Sequence, residues 1–216
     1  MLSAQMEPAF VSSASVAAQL DVILEVAKEM SISVKNAKAI ANRAGVKARG
    51  FSPITDFINE MSLETMRIVS LINKESIFLS QVAIEEIRAR EAANHFMRAL
   101  KLAEGSEYLD SFKDKITEVQ EKKTQKHDEL IKYARILKDL MEEIAKHMAV
   151  ANVIVSNSRI EAVSADEFRT NLEDIANDIE NACDVIRKRV HHSQVRLENA
   201  LTQWKRQVCD EDSNYL

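Results

Sequence analysis

The stretch NRAGVKARGFS, Asn42–Ser52, decides the fold of this sequence. It contains Gly45 and Gly50, two of only three glycines among 216 residues, and helix-forming sequence continues on either side of it. Glycine adopts positive φ at the end of a helix at no steric cost. We therefore predict a hairpin tip in which both glycines take positive φ and Phe51 closes the base of the turn.

The basic residues around this break indicate what the turn is for. Arg43, Lys47 and Arg49 surround the two glycines, although the chain as a whole carries a net charge of −5. A rare turn with a cluster of cations is typical of a presented surface. We expect the tip to meet a partner or another acidic segment of the same chain.

The composition favours long helices throughout. Glycine and proline together account for five residues, aromatic residues for 5% and charged residues for 29% of the sequence. This profile is typical of a coiled coil or of long packed helices, whereas a sheet protein needs turn residues at short intervals.

Charge and cysteine content bound the function and the compartment. Both signs of charge are interspersed along an acidic chain, which argues against a general nucleic-acid binder. Cys183 and Cys209 are far apart and imply no disulfide framework, as in a reducing compartment. We find no signal-peptide pattern and no apolar run long enough to span a membrane, so we expect a soluble, cytoplasmic protein.

Apolar or small residues recur at alternating steps of four and three in four segments, the heptad pattern of helices that pack side by side. Glu75 and Glu86 interrupt the second segment, and the step from Ile186 to Val190 predicts a local slip in the fourth. The predicted seams are Val16, Leu20, Ile23, Ala27, Met30, Val34, Ala37, Ala41 and Ala44; Ile54, Ile58, Met61, Thr65, Ile68, Ile72, Leu79, Val82, Ala89, Ala93, Phe96 and Leu100; Leu137, Met141, Ile144, Met148, Ala151, Val155, Ser158 and Ala162; and Leu172, Ile175, Ile179, Ala182, Ile186, Val190, Ser193, Leu197, Ala200 and Trp204.

Short breaks between these segments predict an all-α, elongated antiparallel four-helix bundle or coiled coil made of two long helical hairpins. The alternative is two hairpins that pair with another chain. Ser164 and Glu167 form a capping-box pattern after the third segment. The predicted domains are a flexible N-terminus at 1–14, a first hairpin at 15–103 with its tip near 45–51, a link at 104–107, a second hairpin at 108–208 with its tip near 163–168, and a disordered tail at 209–216.

The first tip resembles the cytoplasmic hairpin tip of bacterial chemoreceptors, the methyl-accepting chemotaxis proteins. The resemblance is most specific over Asn36–Phe51 and extends more weakly from Val22 to Ile72. The positions that match the family motif without a gap are Asn36, Ala37, Ala41, Arg43, Ala44, Gly45, Arg49, Gly50 and Phe51.

A second copy of the same pattern occupies residues 152–162 of the sequence. Asn157 corresponds to Asn36, and Phe168 follows a shorter turn in the place of Phe51. Two copies in one chain predict a covalent pseudo-dimer of hairpins, in which the basic first tip faces an acidic second tip. The acidic residues of the second tip are Glu161, Asp166 and Glu167.

The resemblance implies a non-catalytic signalling protein that binds a chemotaxis histidine kinase and its coupling protein, or chemoreceptors, without a cofactor or metal. The family's Glu is replaced by Ile40 in the first copy. We expect a monomeric pseudo-dimer or a homodimer. The residues that the resemblance assigns to the partner-binding tip are Asn36, Arg43, Gly45, Arg49, Gly50, Phe51, Asn157 and Glu161.

Three other kinds of site remain open from the residues alone. His127 or His147 would accept phosphate if the chain were a sensory or histidine-phosphotransfer bundle. The seam positions Thr65, Glu75 and Glu86 would line a small-molecule site in the core. A metal site is less favoured, since the spacing of Glu91 with His95 and of Glu143 with His147 differs from that of the carboxylate bundles.

Overall fold

The computed structural model describes residues 2–102 and 109–213, and the side chains of residues 19–102 and 114–204. Within these ranges the chain is an all-α helical bundle, as predicted. Helix α1 spans Leu2–Ala44, α2 spans Phe51–Leu102, α3 spans Leu109–Val163 and α4 spans Arg169–Ser213. Short 3-10 helices at Gly45–Ala48 and Asp166–Phe168 mark the two turns.

Helix ends differ from the prediction at both termini. Helix α1 begins at Leu2, inside the segment 1–14 that the sequence predicts as flexible, and α4 continues to Ser213, inside the predicted disordered tail 209–216. Leucine, methionine, glutamine and alanine of this N-terminal segment favour a helix, whereas Pro8 and the serines oppose it, so propensity alone does not account for the continuous helix. The predicted link at 104–107 lies outside the described residues.

The chain divides into two compact units, and each unit takes parts of both hairpins. Unit 1 comprises 1–14, 74–137 and 196–216, and unit 2 comprises 15–73 and 138–195. In unit 2, cross-helix contacts pair Ser31 with Asn59, and Met30 with Cys183, so α1 runs antiparallel to both α2 and α4. Both turns, and therefore both predicted tips, belong to unit 2.

The core of unit 2 follows the predicted seams of α1 and α3 among the described side chains. All of these positions are buried except Ala44, which is half-buried. The buried positions are Leu20, Ile23, Ala27, Met30, Val34, Ala37 and Ala41 on α1, and Met141, Ile144, Met148, Ala151, Val155, Ser158 and Ala162 on α3. Leu137 of the predicted α3 seam is also buried, but it belongs to unit 1.

The seam of α2 in unit 2 is more polar than predicted. Ile54 and Met61 are only half-buried, and their neighbours Thr55 and Ser62 occupy the core instead. Each hydroxyl bonds to its own helix: Thr55 Oγ1 donates to the Ser52 carbonyl at 2.7 Å and Ser62 Oγ donates to the Ile58 carbonyl at 2.8 Å. This internal bond removes the penalty for burying the hydroxyl, so a small polar residue is tolerated at a core position.

The predicted slip in α4 is absent. Ala176 and Cys183 are buried, whereas the predicted Ile175 and Ala182 are half-buried, so the steps of four and three continue unbroken through Ile186. Burial raises the pKa of the Cys183 thiol to about 12. A small hydrophobic thiol therefore behaves here as a core residue.

The described core of unit 1 combines apolar and ionisable side chains. Val82, Ala83 and Leu130 form an apolar cluster on which Trp204 packs, and the rings of Phe78 and Tyr133 stack with centroids 6.0 Å apart. Two buried ionisable residues, Glu86 and Arg90, lie in the same unit. No helix among the described residues is both long enough and apolar enough to cross a bilayer.

Candidate functional site

The first turn forms as the sequence predicts at Gly45 but not at Gly50. Gly45 has φ of 61°, a conformation that glycine adopts freely, and the 3-10 helix Gly45–Ala48 follows it. Among the glycines of the described residues, only Gly45 has positive φ, so the prediction of positive φ at Gly50 is wrong. A Cβ added at Gly50 would lie 2.1 Å from Glu161 Oε2. Gly50 therefore leaves space for Glu161 of the other tip, and it does not form a left-handed turn.

The second turn closes without glycine, because an aspartate takes the left-handed conformation. Asp166 has φ of 46°, which aspartate tolerates better than most residues do. The amide of Ala165 donates to the carbonyl of Ala162 at 3.0 Å, which ends α3. The predicted capping box is wrong: Ala165 precedes the 3-10 helix and contributes no side-chain cap, and Ser164 is exposed.

The two tips pack directly on each other inside unit 2. Phe51 is buried in a cluster made largely of alanine, and Phe168 of the second turn packs partly buried against the same cluster. Because alanine is small, the helix backbones approach closely, and the ring of Phe51 fills the space that remains between them. The buried members are Ala37, Ala41, Ala48, Phe51, Ala162, Ala165 and Leu172.

Charge also joins the tips. Lys47 Nζ donates to Asp166 Oδ2 at 2.6 Å, and this hydrogen bond raises the pKa of Lys47. Both side chains are more than half exposed, so the pair aligns the turns rather than stabilising them strongly. The predicted match of a basic tip with an acidic tip is confirmed at this contact.

The two copies occupy equivalent environments, which supports the internal repeat. Asn36 and Asn157 are both exposed, and the seam residues Val34 and Val155 are both buried. Phe51 and Phe168, which follow the two turns, contact the same alanine cluster. The second copy is therefore placed on its helix as the first copy is.

The structure brings the predicted tip residues together in unit 2 and divides them into two groups. Phe51 is buried in the alanine cluster and Gly50 is half-buried beside Glu161, so both lie where the two tips meet. The remaining residues, which are exposed, are Asn36, Arg43, Gly45, Arg49, Asn157 and Glu161.

Sequence reasoning missed a row of exposed apolar side chains beside these residues. Ile32 is 59% exposed and Val46 86% on the first copy, and Val153 is 64% and Ile160 70% exposed on the second. Ile32 lies four positions before Asn36 on α1, and Val153 four positions before Asn157 on α3, so these residues follow heptad spacing on their helices. Val46 lies beyond α1, in the 3-10 turn. A search for a second heptad phase in the sequence would have found them.

The three seam positions suggested for a core site, Thr65, Glu75 and Glu86, fall in different units. Thr65 belongs to unit 2, where its hydroxyl donates to the Met61 carbonyl at 2.8 Å, whereas the two glutamates belong to unit 1. Glu75 is half-buried, but Glu86 is fully buried and contacts Trp204, a partner that periodicity alone does not indicate.

The other candidate sites receive little support from the geometry. Among the described side chains, no three histidine, cysteine, aspartate or glutamate residues converge as metal ligands do. His147 is half-buried and its Nδ1 is enclosed, which leaves little room for phosphoryl transfer at that atom. The Nδ1 atom of His127 is also enclosed, and it lies 4.0 Å from Glu86 Oε1.

Comparison of the chain with protein-family models, curated proteins and solved structures found no match.

Proposed function

We propose that this chain is a non-catalytic interaction protein whose paired tips dock on a chemotaxis histidine kinase and its coupling protein, or on receptor arrays. One observation carries the proposal. On each copy, the asparagine of the family motif lies in a row of exposed apolar residues at heptad spacing. We call these rows the α1 stripe, Ile32, Asn36, Ala39 and Arg43, and the α3 stripe, Val150, Val153, Asn157 and Ile160.

Heptad spacing on an exposed face favours a helical partner. Buried seams already use the a and d positions that hold unit 2 together, so the stripes are a second, unused phase on the same helices. Apolar anchors one and two turns apart are the pattern by which a helix docks against another helix. Single exposed apolar residues are common on surfaces, but two such rows at corresponding positions of a repeat indicate a binding face.

The charged residues beside the stripes would orient a bound partner. Arg43 lies within the α1 stripe and Arg49 follows it in the turn, and both are exposed. Glu161 lies beside the α3 stripe. Cations on one stripe and an anion next to the other favour a partner with the complementary arrangement, since charge patterns at an interface fix register and speed association.

Binding of the purified chain to the kinase and coupling protein of the same organism tests the proposal. Ile160→Glu places a charge in the α3 stripe and should abolish binding, and Arg49→Glu should weaken binding and reduce its dependence on salt. Ile77→Glu is the matched control, because Ile77 is 62% exposed but lies in unit 1. We avoid Phe51 as a test position, because its burial makes any effect on binding inseparable from an effect on folding.

The outcome that contradicts the proposal is clear. A folded wild-type chain that binds neither protein, or a loss of binding that is equal for Ile160→Glu and Ile77→Glu, would remove the tips as the docking surface.

A sensory bundle is the second candidate, and one observation favours it. Glu86 is fully buried in unit 1, where a carboxylate is unfavourable unless the fold has a use for it. Isothermal calorimetry of the chain against small cationic ligands would show whether the buried carboxylate binds one. The tip variants should leave such binding unchanged.

A further inference from the structure

A groove with a volume of about 630 Å³ lies between α2 and α3 in unit 1. Its apolar lining comprises Ala89, which is buried, and Ala92 and Val119, which are half-buried. Sites that bind small molecules commonly have volumes of about 300–1,000 Å³ and an apolar lining with a few polar groups. The groove therefore has the size and the apolar surface that a small ligand needs.

The other lining residues give the groove an excess of positive charge. Four cations and two carboxylates line it, a net charge of +2, although the whole chain carries a net charge of −5. A cleft lined mainly by charges of one sign concentrates ions of the opposite sign. The charged lining residues are Arg88, Lys115, Lys122, Lys126, Glu85 and Glu118.

Two of the four cations are paired with carboxylates. Lys126 Nζ lies 2.8 Å from Glu85 Oε2, and also 2.8 Å from Glu129 Oε2, which is not part of the lining. Lys115 Nζ lies 2.6 Å from Glu118 Oε2. The charge that is available to a ligand is therefore that of the other two cations.

Arg88 on α2 and Lys122 on α3 have no such partner. Both are exposed, and neither forms an ion pair or a hydrogen bond with another described side chain. The pKa of Glu85 is lowered mainly by the hydrogen bond from Lys126, and the charges of Lys122 and Arg88 lower it further. The two unpaired cations thus lie close to the same part of the groove.

We propose that the groove between α2 and α3 binds a small phosphate monoester with an apolar body. Arg88 and Lys122 bind the phosphate from the two helices, and Ala92 and Val119 contact the apolar body. The planar guanidinium of an arginine fits two phosphate oxygens at once, and the ammonium of a lysine adds a compact charge with three donors.

Charge favours a phosphate over a carboxylate in this groove. A phosphate monoester carries a charge of about −1.5 to −2 near neutral pH, which matches the two unpaired cations. A carboxylate has a single negative charge and would leave one cation without a counterion. The groove belongs to unit 1, whereas the docking stripes belong to unit 2, so the inference is independent of the proposed docking function.

An NMR titration of the isotopically labelled full chain with phenyl phosphate tests the proposal. The backbone amides of Ala92 and Val119 should shift saturably, with a dissociation constant of about 1 mM or tighter, whereas those of Ala37 and Ala41 in unit 2 should not shift. Benzoate has one charge fewer and inorganic phosphate has no apolar body, so each should bind about tenfold more weakly. Benzyl alcohol, which has no charge, should cause no saturable shift.

Substitutions of the two unpaired cations test their role. Arg88→Gln and Lys122→Gln should each weaken the binding of phenyl phosphate about tenfold, because each removes a charged donor to the phosphate. Arg135→Gln and Lys132→Gln are the matched controls, since both residues are exposed cations of unit 1 that do not line the groove. The controls should change the affinity by less than about twofold, because charges far from the site are screened by salt.

Filling the groove separates its shape from its charge. Ala92→Leu enlarges an apolar lining residue and leaves every cation in place. It should weaken the binding of phenyl phosphate more than that of inorganic phosphate, which needs only the two cations. Circular dichroism should show an unchanged helix content in every variant.

Three results would overturn the proposal. The first is a folded wild-type chain whose amides show no saturable shift with phenyl phosphate. The second is a loss of affinity in Arg135→Gln or Lys132→Gln as large as that in Arg88→Gln and Lys122→Gln, which would indicate a general attraction of anions to the chain. The third is benzyl alcohol binding as tightly as phenyl phosphate, which would remove the role of charge.

Discussion

The two glycines of the first turn are predicted to differ sharply in what an added methyl group does. Gly45 has φ of 61° and no heavy atom within 4 Å of the position where a Cβ would stand. Alanine there meets no steric obstacle, only an unfavourable backbone conformation. Gly50 has an ordinary φ, but its Cβ would stand 2.1 Å from the carboxylate of Glu161.

The magnitudes follow from these two environments. A left-handed conformation costs a non-glycine residue about 1–2 kcal/mol, and replacing glycine by alanine recovers about 0.4–1 kcal/mol from the unfolded chain. Gly45→Ala should therefore lower the free energy of unfolding by about 1 kcal/mol. At Gly50 the obstacle is the end of a flexible, exposed side chain, so Glu161 moves aside and Gly50→Ala should change stability by less than about 0.5 kcal/mol.

Equilibrium urea unfolding of the full chain, followed by circular dichroism, measures both values. Gly45→Asn is a useful intermediate, because asparagine tolerates positive φ and should cost less than alanine. Gly50→Ala combined with Glu161→Ala removes the obstacle and should be no less stable than Glu161→Ala alone. The reasoning fails if Gly50→Ala is as destabilising as Gly45→Ala, or if the Glu161→Ala background makes Gly50→Ala worse.

Further predictions concern the core and the charges of unit 2. Phe51→Ala should lower the free energy of unfolding by about 3–5 kcal/mol, since the cluster around the ring has few other large side chains; urea unfolding measures it. Lys47→Met should lower stability at neutral pH. The hydrogen bond to Asp166 raises the pKa of Lys47 above its ordinary value of 10.5. The stability that this bond gives the wild type is therefore lost as the pH rises above 10.5, and there the free energies of unfolding of the wild type and Lys47→Met should converge. In a Cys209→Ser background, Cys183 should react with a thiol reagent only as fast as the chain unfolds. Its pKa is raised from 9.0 to about 12, so its contribution to stability is complete below about pH 9 and is lost between there and about pH 12.

The sequence was most informative where apolar residues alternate regularly. The seams of α1 and α3 were predicted position by position, because the buried positions of these helices keep an unbroken alternation of four and three. In α2 the prediction chose Ile54 and Met61 over Thr55 and Ser62. Periodicity weighs side chains by hydrophobicity, and it cannot foresee a hydroxyl that satisfies itself on its own backbone.

The candidate site was also predictable only in part from the sequence. The turns and their mutual contact followed from Gly45, Phe51 and the opposite charges of the two tips. The sequence could not explain why glycine is present at position 50, because the explanation is Glu161, which lies on a helix more than a hundred positions away in the sequence. Glu86 was recognised as an anomaly of the seam, but its contacts with His127 and Trp204 required the packing of three helices.

The buried hydroxyls of unit 2 have a mechanical consequence. Thr55, Ser62, Thr65, Ser158 and Ser193 all lie in the core, and each donates to a carbonyl three or four positions earlier on its own helix. None of these bonds crosses from one helix to another. Rotation or sliding of a helix in this unit is therefore resisted by close side-chain packing and by cross-helix bonds such as that of Ser31 Oγ to Asn59 Oδ1 at 3.1 Å, and these five hydroxyls add nothing to that resistance.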